Sequence, residues 1–127
     1  MIAVGIGCRR DVGGDEIAAV VRMTLAEAGL TPAEIDCLAV PRFKQDEAGI
    51  HAAATMLALK IRLIEPPDLE HAAGRATTHS LFVMAQVGVS SVAEAAALAA
   101  AGPASRLHGP RRATGAVTCA IAIDEAT

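Results

Sequence analysis

The 127-residue chain has no tryptophan or tyrosine and only two phenylalanines, Phe43 and Phe82. That scarcity removes the stacking platforms that single-strand readers rely on. The net charge of −3 removes the basic face that nucleic-acid binding needs. Long apolar runs are also missing. The longest are rich in alanine, too short to cross a bilayer and close to charged residues, so no membrane partner is expected. Cys8, Cys37 and Cys119 form an odd, widely spaced set without a CxxC. They indicate neither a disulfide framework nor a structural zinc site, and they point to a reducing cytoplasm. His51, His71, His79 and His108 lack HxxxH or HxH spacing, so no metal and no cofactor is expected. Met1 leads straight into a strand, without the basic, apolar and small-residue segments of a secretory leader.

What remains is 53% hydrophobic, much of it alanine. This is enough for the core of one domain over residues 1–127, thin-walled, with helices lying close to a sheet. Ile2 to Ile6 is a continuous apolar run, the mark of a strand buried on both faces. Ile17, Val20, Val21, Thr24, Leu25 and Ala28 then recur at helical spacing, with Gly29 as a left-handed terminator. Thr31, Pro32 and Glu34 have the spacing of a capping box and predict one helical turn before a strand ending at Val40. A helix is expected over 46–58, a strand from Ile61 to Ile64 closed by two prolines, and a brief helix from Asp68 to Ala73. Residues 74–88 show no period. Ser91 and Glu94 suggest a second capping box opening an alanine-rich helix that Gly102 and Pro103 end. A polar turn and a last strand, Ala116 to Ile123, complete an antiparallel hairpin with the preceding segment. The order implies an α/β three-layer α/β/α sandwich, its mostly parallel sheet of about five strands ending in a C-terminal hairpin.

Ligands of open α/β sheets gather beyond the carboxyl ends of the parallel strands. Here the first strand runs into Gly5-x-Gly7-Cys8-Arg9-Arg10 and the second into Pro41-Arg42-Phe43-Lys44. Four cations at one edge of an acidic protein predict a concave rim for an anionic small molecule, since arginine suits bidentate carboxylate or phosphate contacts. The plain alternative is ordinary solvated loop charge. A dinucleotide fingerprint fails, because Arg10 stands where the third glycine belongs and Val40-Pro41 where an acid is needed. The glycine pair is read as permitting a tight turn. Cys8 could be a nucleophile whose pKa the arginines and a helix N-terminus lower, although a packed or ligand-lining cysteine is favoured. Lys44, Asp46 and Glu47 read as a helix cap or as a lysine held for a ligand carboxylate. Ser90, Ser91 and Glu94 read as a cap whose exposed NH groups could bind an anion.

"GIGCRR", "FKQDEAGI", "GVSSVAEAAALAAAG" and "GAVTCAIAI", in that order and near-full spacing, resemble the cobalamin-biosynthesis family made of CobE and the C-terminal domain of CbiG. The match covers essentially the whole chain. The resemblance implies an α/β sandwich and a role in building the corrin ring. In the two-part proteins of the anaerobic route it implies opening of a precorrin δ-lactone with loss of a two-carbon fragment. This chain looks like the stand-alone form of the aerobic route. By position the resemblance carries over Gly5, Gly7, Cys8, Arg9, Lys44, Glu47, Ser80, Ser91 and Glu94, while Arg111 stands where the family pattern favours lysine.

Three functions follow as expectations. The first is binding of a tetrapyrrole polycarboxylate by Gly7, Cys8, Arg9, Arg10, Lys44, Ser80, Ser91 and Arg111, with Arg42 on the same rim. The second is lactone hydrolysis, with Glu47 or Glu94 as base and Lys44 or Arg9 stabilising the oxyanion. The third is an adaptor for pathway methyltransferases that presents the helix from Ser91 to Ala101 as an exposed apolar patch.

Overall fold

Along the first strand, large residues alternate with small ones: Val4, Ile6 and Cys8 against Ala3, Gly5 and Gly7. The same alternation recurs in Leu38 and Val40 against Cys37 and Ala39, and in Val117, Cys119 and Ile121 against Thr118, Ala120 and Ala122. Successive side chains of a strand point to opposite faces, so this pattern gives the sheet one bulky face and one nearly smooth face. A computed structural model describes residues 1–74, 90–109 and 111–125, with the backbone alone at residues 90 and 91. Its elements are β1 (Ile2–Cys8), α1 (Gly14–Glu27), β2 (Cys37–Pro41), α2 (Ala48–Leu57), β3 (Ile61–Ile64), α3 (Pro66–Ala73), α4 (Ser90–Ala101), β4 (Arg106–Leu107), β5 (Arg112–Thr114) and β6 (Val117–Ile123). One-turn 3-10 helices at Pro32–Glu34 and Arg42–Lys44 flank β2.

Among the described residues the sheet has six strands, in the order β3-β2-β1-β6-β4, with β5 also on β6. β1, β2 and β3 are parallel; β6 runs antiparallel to β1 along its whole length. β4 and β5 are two pieces of one edge. Leu107 pairs with Ala122 and Arg112 with Cys119, so the edge breaks into a bulge between β4 and β5, opposite Ala120 and Ile121. This bulge lies in the stretch expected to be a polar turn, and β5 is the strand that the expected count of about five lacked.

The bulky face packs on α1 and α2, where Ile17, Val21, Leu25, Ile50 and Leu57 meet Val4, Ile6, Leu38, Val40 and Ile121 in one buried cluster. The smooth face carries α4, whose Ala96, Ala97, Leu98, Ala100 and Ala101 join Ala3, Ala39, Ala122 and Ala72 of α3 in a second cluster. The approach is close. A Cβ on Gly5 would fall 2.0 Å from the Ala93 carbonyl oxygen and 2.8 Å from the Ala97 amide. Gly5 therefore serves a strand–helix contact and not a turn, correcting the expectation. α4 is not an exposed patch either, because Ala93 and residues 95–98 are all buried. That removes the surface on which the adaptor reading rested.

Local signals set the helix ends. Gly29 (φ 75°) terminates α1 while the Leu30 amide donates to the Leu25 carbonyl at 2.9 Å, a Schellman ending. The Thr31 amide donates to Glu34 Oε1 at 3.0 Å, one half of the expected capping box. Pro66 and Pro67 do more than close β3: they occupy the first turn of α3, where a missing NH costs nothing. At α4 the helix already includes Ser90, so Ser91 is a helical residue and not the cap.

Candidate functional site

Because β1, β2 and β3 are parallel, the loops after them open at one edge of the sheet. The antiparallel β6 adds its first residue there, Val117 pairing with Cys8. α1, α2 and α3 each start directly from this edge. So does α4: it leads through Gly102–Ser105 into Arg106, which pairs with Ile123 at the opposite edge, leaving its N-terminus on the side of the β1 loop. Helix N-termini carry partial positive charge and free NH groups, so this edge favours an anion.

The loop after β1 is held at four points. The Arg9 amide donates to the Ala116 carbonyl at 3.0 Å. Asp11 adopts a left-handed conformation (φ 60°), tolerable for aspartate, and its amide donates to Glu47 Oε1 at 3.0 Å. The Val12 carbonyl lies against Gly49, where an added Cβ would come within 1.9 Å of it, and Gly14 packs on Ala52. Arg9 and Arg10 are thus exposed side chains on a pinned backbone. Lys44 Nζ stands 3.9 Å from Glu47 Oε2, with only 13% and 18% of the two side chains exposed. Glu47 is the hinge of the arrangement: one oxygen takes the Asp11 amide, the other faces the lysine.

Cys8 lies beneath this pair, 1% exposed and part of the core on the α1/α2 face. Burial pushes its thiol up; Lys44 opposes this and Glu47 adds to it. The lowered thiol pKa expected from the arginines is corrected here: desolvation wins, the thiol stays protonated, and its side chain is walled off from a ligand. Gly7 is likewise an interior strand residue, paired with Thr118.

Other expected rim residues are drawn elsewhere. The Arg42 Nε donates to Glu65 Oε2 at 3.0 Å and its NH1 to Gln45 Oε1 at 3.2 Å, so its guanidinium is engaged at the end of β3. Glu94 is 2% exposed inside α4, which takes it out of reach of a solvent-borne substrate as a general base. Arg111 lies in the edge bulge, two strands from β1, roughly 10 Å at ordinary strand spacing. Ser80 falls outside the described residues; the Ser91 backbone lies in the first turn of α4. The residues brought together are therefore Lys44 and Glu47, beside Cys8, with the backbone of the loop that carries Arg9 and Arg10 closed on Glu47 through Asp11. Sequence reading missed Asp11, whose backbone closes the loop on Glu47, and Glu65, whose place directly after β3 was the signal for a partner to Arg42. Among the described residues no three His, Cys, Asp or Glu side chains form a metal-ligating group. A separate shallow cavity of about 50 Å³ lies at the far end of α1, between Thr24, Glu27, His108 and Arg112.

The fold and this edge define an α/β domain whose loops after the parallel strands meet the helix N-termini on one side of the sheet. The family model for the cobalamin synthesis G C-terminus matches residues 2–122, and the chain belongs to that family of cobalamin-biosynthesis proteins. It is 34% identical to protein CobE of Sinorhizobium sp. over 101 residues, which span 80% of this chain and 66% of that relative. It is 27% identical to the cobalt-precorrin-5A hydrolase of Priestia megaterium over 97% of this chain, but over only 32% of the hydrolase. Among solved structures, CobE from the cobalamin (vitamin B12) pathway superposes with a TM-score of 0.84 at 36% identity, covering 96% of this chain and 89% of that one. The cobalamin biosynthesis protein chiG of Agrobacterium tumefaciens gives 0.78 at 41% identity, covering 98% and 99%.

Proposed function

We propose that the protein binds a precorrin or corrinoid polycarboxylate of the cobalamin pathway at the edge formed by the loops after β1 and β2. A corrin intermediate carries acetate and propionate groups around a flat apolar ring. The observation that supports this reading most is the pinned β1 loop, which leaves Arg9 and Arg10 in solvent while its Asp11 amide closes on Glu47, the partner of Lys44, at an edge where the helices begin. The loop is preorganised, so little ordering entropy opposes carboxylate binding. Ser91, Ser80 and Arg111 stay within the proposal as further contacts; Arg42 contributes least, being committed to Glu65. The single domain spans residues 1–127 in this reading and works in the cytoplasm, in keeping with three free, buried cysteines.

Titration with hydrogenobyrinic acid, a metal-free corrin polycarboxylate, tests the reading. Binding should weaken about tenfold or more in Arg9→Ala and in Lys44→Ala, as expected for lost charge-assisted contacts. Absent affinity, or affinity unmoved by both changes, overturns it.

The Lys44–Glu47 pair supports a second reading, lactone hydrolysis, since a carboxylate and an ammonium group share one edge. Glu47 would act as base and Lys44 would stabilise the oxyanion. Turnover of a lactone-bearing precorrin by the isolated chain, lost in Glu47→Gln, decides for it. Glu94, enclosed in α4, is not retained as a base.

A further inference from the structure

The three residues of the one-turn helix after β2 part in three directions. Side chains on a 3-10 helix are spaced by about a third of a turn, so Arg42, Phe43 and Lys44 cannot share a face. Arg42 reaches toward β3 to meet Glu65, and Lys44 reaches toward the β1 loop to meet Glu47. Phe43 takes the remaining direction and is 64% exposed, the most exposed of the large apolar side chains among the described residues. Phe82, the chain's other aromatic residue, lies outside them. A lone exposed apolar residue ordinarily needs no explanation. This one stands between two cations at the edge already assigned to a ligand, and that ligand joins a ring of carboxylates to a flat apolar surface.

We infer that Phe43 is the apolar platform of the site, lying against the ring face of the macrocycle while Arg9, Arg10 and Lys44 take the carboxylates. The inference rests on the binding reading above and adds the specificity that cations alone lack. Charges select any polycarboxylate; an aromatic ring set among them selects one that presents a flat apolar face. Covering Phe43 also removes from water an apolar surface that the fold leaves bare.

Two measurements test it. Phe43→Ala, at an exposed position that should leave folding intact, is expected to weaken hydrogenobyrinic acid binding roughly tenfold, and Phe43→Leu less. Proton NMR is favourable because the chain has two phenylalanines and no other Tyr or Trp ring. The Phe43 ring resonances, assigned by their loss in Phe43→Leu, should give nuclear Overhauser contacts to the bound corrin. Wild-type affinity in Phe43→Ala, or a saturated complex without those contacts, overturns the inference and leaves the binding reading standing. A wild-type protein that does not bind overturns both.

Discussion

Cysteine reactivity depends on the water a thiolate is denied, and each of the three thiols is denied it. Burial pushes up Cys8 and Cys37, and raises Cys119 to about 12, with the neighbouring Thr24 hydroxyl opposing the shift only in part. Native protein at pH 8 should therefore react negligibly with a thiol-specific disulfide reagent, while denatured protein should release three equivalents. Fast reaction of one thiol would contradict the burial of that residue. The same shift has a consequence for stability. Below about pH 8.5 both folded and unfolded Cys119 are protonated, so it contributes no pH dependence. Above that value the unfolded thiol ionises and the folded one does not, so stability falls as pH rises toward the folded pKa of about 12. Urea denaturation between pH 8 and 10.5 should show this loss, and Cys119→Ala should reduce its slope. The Arg42–Glu65 pair behaves in the opposite sense. It holds the exposed Glu65 carboxyl below the usual range, so its small contribution is present near neutrality and fades as pH falls through that depressed value.

At Gly5 and Gly49, close backbone approach takes the place of the side-chain contacts usual in a core. Gly5→Ala would drive a methyl group into the α4 backbone, which cannot rotate away as a side chain can. The expected cost is about 1–3 kcal/mol or more, read from chemical denaturation. Gly49→Ala meets the Val12 carbonyl in the same way, but Val12 belongs to the β1 loop. That variant should lose ligand affinity together with stability, whereas Gly5→Ala, on the other face, should lose mainly stability. Equal affinity losses in the two would mean that the loop is not what Gly49 positions. At the end of α2 the left-handed position is filled by Ala58 (φ 56°), a conformation that glycine adopts more freely. Ala58→Gly is expected to raise stability by up to about 1 kcal/mol, measurable as a higher denaturation midpoint.

For the molecule as a whole, the distribution of charge matters more than its sum. A chain with a net charge of −3 repels polyanions at long range, so the proposed carboxylate ligand would depend on the local cations Arg9, Arg10 and Lys44. Binding should therefore weaken with ionic strength, because the two arginines are solvent-exposed. Arg42→Ala should matter less than Arg9→Ala, since Glu65 already neutralises Arg42. An affinity indifferent to salt would argue that ring contacts, not charges, dominate.

The order of elements apart from β5, the two-faced strands, the alanine-rich helix lying close to the sheet and the family were all legible in the sequence. Each depends on local periodicity or on ordered motifs, which the chain carries without reference to its fold. β3 was legible to the residue, and the left-handed stop at Gly29 was read from one glycine. Which cations share a rim was not legible, because Arg42 and Lys44 lie two residues apart and their directions depend on Glu65, 23 residues away, and on Glu47. The roles of Gly5 and Glu94 were also misread, since the sequence states residue type and spacing but not what packs above them. Burial turned Cys8 from a candidate nucleophile into core and closed Glu94 to solvent. Sequence determined the elements and their faces, because backbone geometry and solvation act locally. Only tertiary structure decided the site, because charge pairing and desolvation depend on neighbours that folding brings together.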